Sequence, residues 1–151
     1  MGIQRVGHVV IKMRDLGAAK RFYCDLLGMS VASESEGSLF MRFEDYHHDL
    51  AVFKVSDEAP LPSKDQVGLA HIALVADSFD SVVAMYRRLK DNGVTVDFTT
   101  DHGFTKSLYT HDPEGNQIEI YCEVPEFDWR RDGFGGKMTR LDLETPAAAL
   151  R

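Results

Sequence analysis

Two histidines and one glutamate are the residues whose types and positions could do chemistry in this sequence. We expect His8 and His71 each at the middle of a β-strand, and Glu119 at the centre of a third strand, 117–121. Two imidazoles and one carboxylate are the facial ligand set that holds non-haem Fe(II) and leaves positions open for substrate and O2. The alternative is structural, because a strand histidine can be hydrogen-bonded in the core and a strand glutamate can face solvent.

An internal repeat places the two histidines at equivalent positions. An offset of 63 residues superposes His8 on His71, and it also superposes apolar helix residues of the first half on those of the second, such as Tyr23 on Tyr86. Repetition at a fixed offset is typical of duplicated structural units. The repeat therefore favours a shared metal site over two unrelated structural histidines.

Hydrophobic periodicity and turn residues predict the same β-α-β-β-β order in both halves. Asp15 is expected to cap the first helix, and Gly28 and Gly93 to end the two helices. The predicted helices are 16–27 and 77–92, and the predicted strands are 5–12, 29–32, 38–43, 49–55, 68–75, 94–98, 107–109 and 117–121.

These elements predict an α+β protein with a single domain over residues 1–151. The domain would contain two modules, 4–57 and 67–124, joined by a proline-containing linker at 58–66. A C-terminal arm, 125–151, follows the second module.

The arm contains three large aromatic side chains, Phe127, Trp129 and Phe134. Exposure of such side chains to water is unfavourable in free energy. The arm is therefore expected to pack, either at the mouth of a cavity or over a sheet edge or subunit contact. A partly disordered tail is the alternative.

Composition limits the possible partners. Of the 151 residues, 44% are hydrophobic and 27% are charged, which is typical of a globular protein, and no apolar run reaches the length of a membrane span. The net charge of −7, without clustered Lys and Arg, argues against nucleic acid. We expect a cytoplasmic protein that binds a small molecule and keeps Cys24 and Cys122 reduced.

Four separated motifs, GHVVI, HHDLAVF, GLAHIAL and DHGFTKSLYTHDPEGNQIEIY, together resemble the vicinal oxygen chelate superfamily, and within it the type I extradiol ring-cleaving dioxygenases. The resemblance implies paired β-α-β-β-β modules forming an open barrel. It also implies cleavage of a catechol-type diol with O2 at Fe(II), although Mn(II) accepts the same ligands. A homo-oligomer is expected.

Carried over to this chain, the resemblance implies six site residues. His8, His71 and Glu119 would be the metal ligands, and His48 would be an acid/base that does not touch the metal. His102 and Tyr109 would hydrogen-bond the substrate oxygens. The structural alternative makes His48 and His102 ordinary turn or edge histidines and Tyr109 a barrel tyrosine, while His47 and His111 are interpreted as surface residues.

Two other functions remain open. Glyoxalase-like or epimerase-like enzymes of the same superfamily usually carry a fourth protein ligand on the last strand of the first module, which here is apolar at its centre, DLAVFKV. A metal-free protein that sequesters a small molecule is the third possibility, but it would have no need for His8, His71 and Glu119 together.

Overall fold

The computed structural model describes residues 2–63, 65–134 and 138–144. By its internal contacts the chain divides into two compact units, Met1–Lys64 and Asp65–Arg151, called unit 1 and unit 2 below. Each unit begins with β-α-β-β-β. The predicted α+β class and the duplicated β-α-β-β-β pattern are confirmed.

Unit 1 contains one four-stranded mixed sheet and one helical segment. In the sheet order β1-β4-β3-β2, β1 is parallel to β4 and the other pairs are antiparallel. The elements are β1 Val9–Met13, α1 Leu16–Lys20, a π-helical continuation Arg21–Leu26, β2 Ser30–Glu34, β3 Ser38–Arg42 and β4 Leu50–Lys54.

The first helix begins at the predicted residue, ends at Leu26, one residue before the predicted end, and changes its winding along its length. The Asp15 carboxylate accepts a hydrogen bond from the Ala18 backbone N–H at 3.0 Å. Towards the end, the Leu27 N–H bonds to the Phe22 carbonyl, five residues back, which defines the π-helical segment. Gly28 then adopts a positive φ of 88°, a conformation that glycine takes without steric cost.

Unit 2 contains a five-stranded mixed sheet in the order β5-β8-β7-β6-β9, with β5 parallel to β8. The residues of helix α2 that face the core, Val82, Val83 and Leu89, are buried. The elements are β5 Ile72–Val75, α2 Phe79–Asp91, β6 Val96–Asp101, β7 Thr105–His111, β8 Gln117–Glu123, α3 Trp129–Asp132 and β9 Thr139–Arg140.

The tight turn before β8 fixes the entry of that strand. One carboxylate oxygen of Asp112 accepts hydrogen bonds from the backbone N–H groups of Glu114 and Asn116, each at 2.9 Å. Gly115 has a φ of 86°, as a residue in this turn requires. This local geometry sets the register in which β8 presents Glu119.

The prediction that both histidines lie at the middle of a strand is wrong. His8 and His71 each lie one residue before a strand begins. The parallel pairing of β1 with β4 starts at Val9 and that of β5 with β8 starts at Ile72, so neither histidine belongs to the paired region. Both imidazoles therefore lie immediately before the first residue of a strand, at equivalent positions in the two units.

The C-terminal arm contains two elements that the sequence did not predict, α3 and β9. β9 pairs antiparallel with β6 and adds a fifth strand to the sheet of unit 2. The parts of the predicted arm at 135–137 and 145–151 lie outside the described residues. Among the helices that the structure describes, none is both long and apolar enough to cross a membrane.

Both cysteines carry free thiols, Cys24 half-buried and Cys122 buried. Burial raises the pKa of each thiol, which disfavours the reactive thiolate. This agrees with the expectation of two reduced cysteines.

Candidate active site

The parallel pair β5 and β8 brings His71 and Glu119 together. Glu119 lies opposite Ala73 in the strand register, and His71 precedes Ala73 by two residues on the same side. The His71 Nε2 atom lies 3.1 Å from Oε2 of Glu119. Glu119 is only 8% exposed, so its carboxylate needs such a partner.

Tyr109 supplies the second partner of the same carboxylate. It lies directly opposite Glu119 in the antiparallel pairing of β7 with β8. Its hydroxyl donates to Oε1 of Glu119 at 2.7 Å. Burial, together with the neighbouring Glu119, raises the pKa of the Tyr109 phenol, so this residue stays a hydrogen-bond donor at neutral pH.

His102 extends this contact into a chain of four side chains. Its Nε2 atom lies 3.3 Å from the Tyr109 hydroxyl. Because the single phenol proton goes to Glu119, the hydrogen on this contact must come from His102, which selects the tautomer protonated at Nε2. Unit 2 thus joins four of the six predicted site residues in the order His71, Glu119, Tyr109, His102.

The remaining two predicted residues meet in unit 1. The rings of His8 and His48 lie 4.2 Å apart between centroids, and Nδ1 of His47 lies 2.7 Å from Nδ1 of His48. Burial lowers the pKa of His48, and the neighbouring His8 and His47 lower it further. At pH 7 His48 is therefore a neutral imidazole, able to accept a proton.

A cavity of about 460 Å³ opens on the face of the unit 2 sheet to which Glu119 points. This volume is typical of a small-molecule site. Four aromatic rings, those of Phe104, Phe127, Trp129 and Phe134, form part of its wall. Phe127, Trp129 and Phe134 of the arm therefore line the cavity that Glu119, Tyr109 and His102 enter, which is one of the two positions expected for these aromatic residues.

Sequence reasoning missed several residues of this cavity, including Phe104, Tyr121 and Glu123. A signal for two of them was present, because Tyr121 and Glu123 follow Glu119 at intervals of two along one strand and must share its face. Among the residues interpreted as surface positions, His47 and His111 are both exposed, and His111 pairs with Asp97 at 2.7 Å.

His71 and Glu119 fit the requirements of neighbouring metal ligands. Two ligand atoms that each lie about 2.1 Å from one ion, at right angles, are about 3 Å apart. The observed separation of Nε2 and Oε2 is 3.1 Å. Within neither unit by itself do the described residues gather three His, Cys, Asp or Glu side chains as a metal site. The third predicted ligand, His8, belongs to unit 1.

Comparison with known proteins decides the family. The profile of the Glyoxalase/Bleomycin resistance protein/Dioxygenase superfamily matches residues 5–120. This chain belongs to that superfamily. A crystal structure of a glyoxylase/bleomycin resistance protein/dioxygenase domain from Frankia sp. EAN1pec superposes with a TM-score of 0.68 at 18% identity, covering 82% of this chain and all of the other. The glyoxalase-like fold is thereby established.

The curated relatives of this superfamily member include dioxygenases. Biphenyl-2,3-diol 1,2-dioxygenase 3 of Rhodococcus globerulus is 32% identical over 79% of this chain and 63% of its own length. Catechol-2,3-dioxygenase of Bacillus subtilis is 26% identical over 92% of this chain and 50% of its own length. The chain thus spans less than two thirds of the curated dioxygenases it matches.

Proposed function

We propose that this chain is an extradiol dioxygenase, which cleaves the aromatic ring of a catechol-type diol with O2 at a non-haem Fe(II). The observation that carries the proposal is the chain of His71, Glu119, Tyr109 and His102 at an aromatic-walled cavity. It combines two adjacent ligand atoms with two groups able to hydrogen-bond a substrate oxygen.

In this proposal His8, His71 and Glu119 hold the metal. Fe(II), when bound, would supply the centre at which the diol oxygens and O2 are activated. The Nε2 atom of His71 faces Oε2 of Glu119, so this nitrogen must first give up its hydrogen, by a change of tautomer to Nδ1 or by deprotonation, before it can bind a metal. Mn(II) is compatible with the same donors.

The other residues position groups and move protons. The Tyr109 hydroxyl and the His102 imidazole would bind the substrate oxygens, and Tyr109 also orients Glu119 through its 2.7 Å hydrogen bond. His48, neutral at pH 7, is suited to take up a proton from the substrate or its oxygenated form. The aromatic wall would contact the ring that is cleaved and reduce its exposure to water.

One observation argues against a glyoxalase-like or epimerase-like reaction. Leu50, Ala51 and Val52 of β4 are buried and apolar, and the strand as a whole contains no carboxylate to act as a fourth ligand. A metal-free binding protein is the second candidate. It is favoured by the aromatic cavity, and by the fact that both oxygens of Glu119 are already satisfied by His71 and Tyr109.

Oxygen uptake tests the proposal. The full chain would be loaded with Fe(II) under nitrogen, mixed with a panel of catechols, and followed with an oxygen electrode. Use of ¹⁸O₂ with mass spectrometry should show both oxygen atoms in a ring-opened product. The Glu119→Gln variant should be inactive, whereas Glu126→Gln, which changes an exposed carboxylate outside the cavity lining, should be active. A protein that binds iron and catechols tightly but consumes no O2 would favour the binding-protein alternative.

A further inference from the structure

The charge of the unit 2 cavity indicates which aromatic molecules it accepts. We infer that Glu123 is a specificity-determining residue that selects against aromatic substrates carrying an anionic substituent. This inference rests on the proposed function, because it takes the same cavity as the substrate site. The substrate class would be neutral or cationic catechol-type diols with an apolar extension.

Strand β8 delivers two carboxylates to the cavity. Glu119, Tyr121 and Glu123 alternate along the strand, so all three point to one face, and all three line the cavity. Glu119 is committed to His71 and Tyr109. Glu123 is exposed to solvent at the end of the strand, and among the described residues it forms no ion pair or side-chain hydrogen bond, so its charge is hydrated but not paired with a cation.

The basic side chains close to the unit 2 cavity contact other groups and do not line it. None of the lining residues that the structure describes is Lys or Arg. Lys106, on the neighbouring strand β7, places its ammonium group 4.5 Å from the ring centroid of Phe79 on helix α2. The guanidinium of Arg130 stacks over Trp129 at 4.3 Å but does not line the cavity, and that of Arg131 pairs with Asp132.

The rest of the wall favours an uncharged ring. Phe104 contacts both Phe127 and Phe134, at centroid distances of 5.9 and 5.4 Å, and Trp129 stacks on Phe134 at 5.8 Å. A carboxylated ring seated among them would lose hydration and meet the negative charge of Glu123 without a compensating cation. When a metal offsets the charge of Glu119, Glu123 remains as the uncompensated charge of the lining.

An isosteric pair of ligands tests the inference without any ring cleavage. Biphenyl-4-carboxamide and biphenyl-4-carboxylate differ in charge but hardly in shape, and neither is a diol. Their dissociation constants would be measured by calorimetry on the full chain, after chelation of metal and again after Fe(II) loading under nitrogen. Trp129, the single tryptophan of the chain, lines the cavity, so its fluorescence reports whether the ligand binds there.

For the unmodified chain we expect the carboxamide to bind about tenfold more tightly, as two like charges near a protein surface would produce. Glu123→Gln should reduce this ratio several-fold and Glu123→Lys should invert it, whereas Glu126→Gln should leave it unchanged. Rising salt should weaken the discrimination.

The inference would be overturned if the ratio of the two dissociation constants were the same in three proteins: the unmodified chain, Glu123→Gln and Glu123→Lys. Failure of both ligands to bind would also overturn it, because the cavity would then not accept aromatic rings. Oxygen uptake plays no part in these measurements. Charge discrimination without oxygen chemistry would therefore count against the proposed reaction and not against the role of Glu123.

Discussion

Tyr109 donates its phenol proton to Glu119 across 2.7 Å, and both residues are more than nine-tenths buried, at 7% and 8% exposure. The contact joins strands β7 and β8 at directly opposed positions. It gives the predicted ligand Glu119 a fixed orientation before any metal is present. Orientation of this kind by a neighbouring hydrogen bond is a common support of metal ligands.

Tyr109→Phe should weaken both stability and metal binding. Loss of the hydroxyl leaves Oε1 of Glu119 without its donor, so we expect the free energy of unfolding of the chelated protein to fall by about 1–3 kcal/mol. Metal affinity should fall by about 10- to 100-fold. Urea unfolding and metal titration measure the two effects. Tyr121→Phe is the matched control, because the Tyr121 hydroxyl makes no hydrogen bond among the described residues, and unchanged stability is expected there.

The hydrogen bond between Tyr109 and Glu119 should also affect how the free energy of unfolding depends on pH in the alkaline range. The pKa of Tyr109 is raised in the folded protein, so the folded state retains the phenol proton to higher pH than the unfolded state does. The stability that this group contributes is present below about pH 10, the ordinary tyrosine value, and is lost as the pH rises above it. Urea unfolding between about pH 9 and about pH 11 should show a shallower decline in Tyr109→Phe. Parallel declines in the two proteins would contradict the assignment.

Glu119→Gln should bind far less metal than the unmodified chain, since a neutral amide is a poorer ligand than a carboxylate and cannot compensate the charge of a divalent ion. Elemental analysis after Fe(II) loading and desalting measures the occupancy. Glu123→Gln makes the same change in charge on the same face of β8 and should retain its metal. Equal loss of metal from both variants would show that net charge, and not ligation by Glu119, holds the ion.

His48→Gln should retain iron and bind catechols while turnover falls by roughly two to four orders of magnitude, the usual range for a general acid/base. Rapid kinetics and metal analysis of one preparation measure both properties. His111→Gln, at an exposed histidine paired with Asp97, should turn over normally. Iron loss from His48→Gln would instead make His48 a ligand or a structural support of His8, which it contacts.

Phe134→Ala should change the preference for substrate size. The ring is 70% exposed yet lines the cavity beside Phe104 and Trp129, so its removal deprives a large substrate of aromatic contact. We expect kcat/KM for two-ring catechols to fall by about 2- to 10-fold relative to catechol itself. Leu61→Ala, at another exposed apolar residue, is the control. Truncation of the arm is a poorer test, because it also removes the buried Leu143 and strand β9.

The fold could be predicted because its signals are local and occur twice. Asp15 caps its helix as expected, and Gly28 and Gly93 end theirs with positive φ. The repeat with an offset of 63 residues then showed that one unit had been duplicated. Local signals do not define where β1 and β5 start, because pairing with β4 and β8 decides this, and these partner strands lie far away in the sequence. The local pattern therefore predicts His8 and His71 inside a strand, whereas each lies one residue before a strand begins.

Part of the candidate site could also be predicted from the sequence. The motif resemblance selected His71, Glu119, Tyr109 and His102, and the structure brings these four together. The roles of His8 and His48 and the ligation of iron stay predictions. The double hydrogen bonding of Glu119 and the cavity position of Glu123 depend on strand register and on the packing of the arm, which no single residue pattern encodes.

The parallel pairing of β5 with β8 also has a kinetic consequence. His71 and Glu119 become neighbours only when the first and last strands of the β-α-β-β-β unit meet, after the intervening chain has been closed into a long loop. Contacts of such high sequence separation form late and slowly in folding. The pair should therefore be absent from partly folded chains, so a metal ion that requires both side chains would bind only after the last strand has docked.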